Sequence, residues 1–275
     1  MGQAIRIYYA FCPQKAGTPG AYLTYQRKLA DKILNHGFEN MFQIGFDREK
    51  ISKGKNGKPY WAGEGEIGFN VSNTNGLVAC GISVRKKCGS LEIGVDAEKP
   101  RKVRMPVLRK CCSPEEISYI LSGQACSVEE IRGAEGGDGT GSKGIVELGE
   151  EGRQRFSQIW TLKESYIKMT GEGLAFPLQQ VNFRIEKKIN GGFYISCSQP
   201  AFFAQRMVGG YWISVCANGQ AEVVWKELSV DSLSLSVSEN SFPPSASPNL
   251  RHISAKFSQR SPLRLLHLAK ISHKL

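Results

Sequence analysis

No stretch of this sequence approaches the roughly 20 consecutive apolar residues that span a bilayer. The opening run, Met1-Gly2-Gln3-Ala4-Ile5-Arg6, has no secretory apolar segment, and Arg6 stands where a myristoylation signal needs Ser or Thr. These absences predict a cytoplasmic protein with no membrane partner. The eight cysteines contain neither a CxxC pair nor a ladder of short spacings, which removes a zinc site and a disulfide framework and predicts reduced, mostly buried thiols. A phosphate-binding GxxxxGK[ST] loop is also missing, since Gly141-Ser142-Lys143 does not satisfy it. So is any aromatic-basic or zinc-spaced nucleic-acid motif, which leaves a basic nucleic-acid-binding module supported by charge alone.

What is present is an ordinary globular composition, 275 residues of which 41% are apolar, with 36 Lys and Arg against 25 Asp and Glu for a net +11. A field of that sign favours an acidic partner or a polyphosphate ligand. It is unevenly spread: residues 228–275 carry six cations and two anions, +4, so the body keeps +7.

Ala4 to Phe11 is rich in β-formers and reads as a strand. A helix follows from near Ala21 to Asn35, with Leu23, Leu29, Ile33 and Leu34 in its stripe and Gly37 as its stop. After a polar loop, residues 52–59, come three β-rich runs, Gly68 to Ser72, Leu77 to Val84 and Leu91 to Ala97. Ser113-Pro114-Glu115-Glu116 supplies an N-cap, a first-position proline and a capping-box glutamate for a helix to Leu121. Residues 123–152 are glycine-rich and charged, an expected mobile loop inserted before a helix at Phe156 to Thr170 and β-rich segments to Ala217. Strand, helix, strands thus recurs in an N-terminal half, 1–89, and a C-terminal half, 90–227, an α+β architecture of two similar units. Residues 228–275, with twelve serines in 48 positions, are expected to be a disordered basic tail.

In Ile93-Gly94-Val95-Asp96-Ala97-Glu98, strand alternation puts Asp96 and Glu98 on one face. Two carboxylates so close repel unless a proton or cation intervenes, and oxygen-only ligands suit Mg²⁺. Taken alone, that spacing is better explained as an acidic strand end in water. Downstream, Trp160-Thr161-Leu162-Lys163-Glu164-Ser165-Tyr166-Ile167-Lys168 is helical, with Glu164 and Lys168 as i,i+4 neighbours, by themselves an ordinary surface pair.

Together and in this order, these motifs resemble the 4'-phosphopantetheinyl transferases of the surfactin-synthetase-activating type. Gly57-Lys58-Pro59, Phe69-Asn70-Val71-Ser72, Ser113-Pro114-Glu115-Glu116 and Gly171-Glu172-Gly173-Leu174 extend the resemblance over roughly residues 5–227. It implies two α+β halves about a pseudo-twofold axis and transfer of 4'-phosphopantetheine from coenzyme A to a serine of an acyl or peptidyl carrier protein, with release of adenosine 3',5'-bisphosphate. It implies that Asp96, Glu98 and Glu164 hold Mg²⁺, that Glu164 activates the serine, and that Lys168 lies near the transferring phosphate. Arg27, Lys58, Ser72 and Asn73 fall at its coenzyme A contacts, Asn73 replacing a frequent histidine. The separation of 64 positions from Asp96 to Trp160 exceeds the usual spacing, and the glycine-rich loop accounts for the excess. Two joined halves sharing one cleft favour a monomer. The pathway served, whether fatty-acid, polyketide or nonribosomal-peptide synthesis, is not encoded in these residues. A relative that binds coenzyme A or a carrier without transfer is the nearer alternative, and a nucleic-acid binder the remoter one.

Overall fold

The computed structural model describes residues 3–13, 18–84, 91–122, 148–189 and 192–233. Of the mobile loop expected at 123–152, residues 123–147 lie outside the described residues, as does the expected tail beyond 233; residues 150–152 are helical instead.

Strand β1 (Gln3–Phe11) leads to helix α1 (Pro19–Phe42), whose N-cap Thr18 accepts from Ala21 N and is followed by a first-turn proline. The helix runs through Gly37 and ends at Gln43, in the left-handed region at φ 59°. Gly37 is therefore not a stop. A Cβ there would lie 2.2 Å from Ile82 Cδ1 and 3.0 Å from the Tyr8 ring, so the glycine lets the helix press against the sheet. The polar loop holds a small ribbon, β2 (Ile51–Lys53) against β3 (Pro59–Trp61). Then come β4 (Ile67–Thr74), β5 (Leu77–Val84) and β6 (Ile93–Glu98).

The second half adds α2 (Met105–Cys111), not anticipated from its basic residues, and α3 (Pro114–Leu121), where Ser113 and Glu116 form the expected capping box. Helix α4 (Glu150–Thr170) starts six residues before the expected Phe156, with Glu150 and Glu151 in its first turn, where acidic residues suit the helix dipole. The hairpin β7 (Phe183–Lys187) and β8 (Phe193–Cys197) and the strands β9 (Phe202–Val208), β10 (Tyr211–Ala217) and β11 (Ala221–Glu227) complete the order.

The fold is α+β and its halves repeat one another. In the first sheet the order is β11-β1-β5-β4, and in the second β6-β10-β9. Strand, helix, then an antiparallel pair whose second strand lies beside the first describes both β1-α1-β4-β5 and β6-α4-β9-β10. The exception is β11, which crosses back from the second half to pair in parallel with β1, Gln3 opposite Ala221 through Tyr9 opposite Glu227. Residues 228–233, counted with the tail on sequence grounds, are also placed: Leu228 and Leu233 are buried against α1's core, and Leu228 N donates to Tyr9 O.

Alternation assigns each strand two faces. Ile5, Ile7 and Tyr9 of β1, with Leu77 and Ala79, meet Ile93, Val95, Ala97, Ile213 and Val215 in an apolar layer between the sheets. The opposite face of β1 and β5 packs on α1, and the opposite face of β6 and β10 receives α4. Gly94 makes that second seat close: a Cβ would lie 2.0 Å from Ser165 O and 2.3 Å from Met169 N. Backbone against backbone at this point fixes α4 over β6, and with it the side chains on either side of Gly94.

Among the described residues Cys12, Cys80, Cys111, Cys112, Cys197 and Cys216 are free thiols, five of them buried. None of the described helices is long and apolar enough to cross a membrane.

Candidate active site

Asp96 and Glu98 stand on the α4 side of β6, because Ile93, Val95 and Ala97 take the apolar layer. Glu164 and Lys168 lie one helical turn apart on α4, and the contact at Gly94 brings that turn over the strand. Asp96, Glu164 and Lys168 are each at least nine-tenths buried. Asp96 Oδ1 meets Lys168 Nζ at 2.7 Å and accepts from Ser72 Oγ at 3.0 Å. Glu98 keeps 23% of its side chain in solvent, where Arg101 stands 3.9 Å away, and Thr74 Oγ1 donates to it at 3.5 Å.

The electrostatics are those of carboxylates crowded out of water. Burial first, then the charge of Asp96, pushes the Glu164 carboxyl up to about 8, against the pull of Lys168. The same two causes raise Glu98 to about 7, with Arg101 and Lys168 opposing. Glu98 is the more exposed of the two, so solvent screens it more. Asp96 Oδ2 and Glu164 Oε1 are buried and accept no hydrogen bond from the described residues. Two shielded carboxylate oxygens, one from a strand and one from a helix, are of the chemistry that a hard divalent cation such as Mg²⁺ accepts. As the side chains stand, no three Asp, Glu, His or Cys residues among those described close into a ready ligand cage. Asp96 is turned onto the Lys168 ammonium instead.

The other expected contacts divide. Ser72 joins the carboxylate cluster. Asn73 donates to Gln26 Oε1 at 3.0 Å, and Arg27, next in the chain, lies on the exposed side of α1. Lys58 is buried at the far end of α4, bonded to Glu92 Oε2 at 2.6 Å and to Met169 O at 2.5 Å.

Gln26, which sequence reasoning passed over, and Lys163 and Trp160, which it quoted in the motif without a role, do structural work around the site. Gln26 ties α1 to the β4–β5 turn through Thr74 O at 2.6 Å. Its signal was a polar residue one turn from Tyr22 and nearly one turn from Leu29, on the buried stripe. Lys163, adjacent to Glu164, is fully buried and pairs with Glu116 at 2.8 Å while donating to Leu178 O and Val181 O. Glu116 accepts in addition from Ser113 N and Phe183 N. Trp160 stacks on Phe156 inside the second core. In W-x-x-K-E-S-x-x-K, therefore, Trp160 and Lys163 seat the helix, while Glu164 and Lys168 face the cluster.

The segment bearing these carboxylates matches the family model of the 4'-phosphopantetheinyl transferase superfamily over residues 92–216. Across more of its length the chain is similar to 4'-phosphopantetheinyl transferase Sfp of Bacillus subtilis (strain 168), 23% identical over 191 residues, which is 69% of this chain and 72% of that one. The 4'-phosphopantetheinyl transferase ffp of Bacillus subtilis is 24% identical over 193 residues, 69% and 72% of the two chains. The 4'-phosphopantetheinyl transferase gsp of Aneurinibacillus migulanus is 25% identical over 162 residues, 58% and 50%. The proteins to which this chain is similar are thus 4'-phosphopantetheinyl transferases, Sfp among them.

Proposed function

We propose that this chain transfers 4'-phosphopantetheine from coenzyme A to a serine hydroxyl of an acyl or peptidyl carrier protein with the help of Mg²⁺, leaving adenosine 3',5'-bisphosphate. The observation that carries the reading is the pair of buried, unpartnered oxygens, Asp96 Oδ2 and Glu164 Oε1, within the segment that matches the family model. Asp96 and Glu98 from β6 and Glu164 from α4 would hold the ion. Bound there, Mg²⁺ would neutralise charge on the coenzyme A pyrophosphate, which is what phosphoryl transfer requires most.

The chain's own groups account for the rest. Lys168, held beside Asp96, places a cation next to the reacting phosphate. Glu164 would also accept the serine hydroxyl proton, the role that the family resemblance gives it. Burial of both groups excludes water, the competing nucleophile. The exposed cations Lys99, Lys102, Arg104, Arg109 and Lys110, with the half-buried Arg101, line the stretch that leaves β6 and runs through α2. An acidic face on the carrier protein would dock there, and salt would slow the encounter. Coenzyme A contacts by Arg27 and Asn73 belong to the same reading, as do a monomeric state and a cytoplasmic location.

The test is direct: incubate the protein with apo carrier protein, coenzyme A and Mg²⁺, and weigh the carrier by mass spectrometry. The phosphopantetheine adduct is expected. No adduct across several carriers would leave only a coenzyme A-binding or carrier-binding relative.

A further inference from the structure

Ser72 falls, by resemblance, at a coenzyme A contact, yet its surroundings give it different work. Its side chain is 2% exposed. A serine hydroxyl offers one donor and two acceptor positions. The donor goes to Asp96 Oδ1 at 3.0 Å; the acceptors take Ala97 N at 3.1 Å and Lys168 Nζ at 3.2 Å. Every hydrogen-bonding position of Ser72 is thus committed inside the protein, and none is left for a ligand.

The strand around it explains why. β6 is an edge strand whose other side pairs with β10, so the N–H groups of Val95 and Ala97 point away from that sheet. Asn70 and Ser72, alternate residues on β4, supply the acceptors: Asn70 Oδ1 takes Val95 N at 2.8 Å and Ser72 Oγ takes Ala97 N. Side chains of the first half thereby replace a strand partner for the second half on both sides of Asp96. Lys58 and Asn56 grip the other element of the site in the same way. Lys58 Nζ meets Met169 O, and Asn56 Nδ2 donates to Gly171 O and Glu172 O, at the end of α4.

We propose that Ser72 is a positioning residue: it holds Asp96 by one oxygen, through Oγ and the Ala97 amide, so that Oδ2 stays free for a divalent cation. The inference rests on the metal-dependent transfer reading above. It departs from a direct coenzyme A contact in a measurable way. Removing an outer hydrogen bond to a metal ligand typically costs 10-fold to 100-fold in metal affinity or activity, whereas removing a substrate contact raises KM.

The experiment compares Ser72→Thr, which keeps the hydroxyl, with its isostere Ser72→Val, which loses it; both branched side chains suit a strand. Mn²⁺ is titrated into the coenzyme A-free protein by calorimetry, and kcat and KM for coenzyme A are measured separately with Mg²⁺ and an apo carrier protein. Ser72→Val is expected to bind Mn²⁺ about tenfold more weakly than Ser72→Thr and to lower kcat, with KM for coenzyme A within twofold. Equal Mn²⁺ affinity in the two variants overturns the inference, as does a rise in KM without a change in Mn²⁺ affinity. A parent protein that binds Mn²⁺ but yields no carrier adduct defeats the transferase reading and leaves the positioning role standing. A parent that binds no Mn²⁺ defeats the positioning role, whether or not an adduct forms.

Discussion

Replacing Lys163 by methionine should unfold this protein far more readily than its distance from solvent-exposed chemistry would suggest. Lys163 and Glu116 are both fully buried and meet at 2.8 Å. Removing one partner of such a pair costs about 3–5 kcal/mol, because the remaining charge stays buried. Glu116 keeps two backbone donors, Ser113 N at 2.8 Å and Phe183 N at 2.9 Å, which puts the loss near the lower end, about 3 kcal/mol. The carbonyls of Leu178 and Val181 lose their donor as well, so the figure should not fall much below that. For a chain of this size it corresponds to a drop of roughly 6–12 °C in Tm. The assay is thermal and urea unfolding followed by circular dichroism, with the double variant Lys163→Met, Glu116→Gln beside the single one. Neutralising both partners should recover part of the loss. A Tm within about 2 °C of the parent for the single variant, under 1 kcal/mol, would refute the view that this pair seats α4.

Gly94→Ala should be damaging for a different reason: its Cβ would meet backbone, Ser165 O at 2.0 Å and Met169 N at 2.3 Å, so α4 must lift, at about 1–3 kcal/mol or more and with loss of transfer; stability and kcat measured on one preparation check this. In the metal-free protein Glu164 is raised to about 8 and Glu98 to about 7, whereas unfolded carboxylates ionise near pH 4.3. The folded state therefore binds more protons than the unfolded between those values, and stability falls as pH rises from roughly 4.5 to 8. Mg²⁺ replaces the protons, so the rise in Tm on adding Mg²⁺ should widen from pH 6 to pH 8; a shift that narrows over that range would contradict the site. Ending the chain after Glu227 removes Leu228 and Leu233 from the core under α1, and should lower stability by about 1.5–3 kcal/mol per leucine, while ending it after Leu233 spares both. Equal melting of the two truncations would show that residues 228–233 do not matter to the fold.

Local patterns in the sequence disclose much of this molecule. Alternation in Ile93 to Glu98 separated the carboxylates from the apolar layer, and Ser113 to Glu116 carried a capping box that formed as written. Elements whose partners are distant in sequence were harder to see. β11 is a charged strand that makes sense only beside β1, and β9 has a polar interior because Gln205 reaches into a buried network with Thr161 and Ser214. Gly37 reads locally as a breaker and is in fact a contact point, since Ile82 and Tyr8, which need the space, lie far from it in the chain. The site shows the same division. Its acidic residues are marked by the order of the motifs and the family they resemble rather than by spacing alone, and nothing local to Ser72, Lys58 or Lys163 announces that each is consumed by a partner in the other half or in another element. A motif marks which residues matter; the three-dimensional partners decide which of them face the substrate.

The central claim is that Asp96 and Glu164, arriving from β6 and α4, act on one cation in one reaction. Asp96→Ala and Glu164→Ala, each verified as folded by circular dichroism, should lose Mn²⁺ binding by calorimetry and nearly all transfer of phosphopantetheine to an apo carrier protein by mass spectrometry. Either variant transferring at the parent's rate at the same Mg²⁺ concentration would contradict the account.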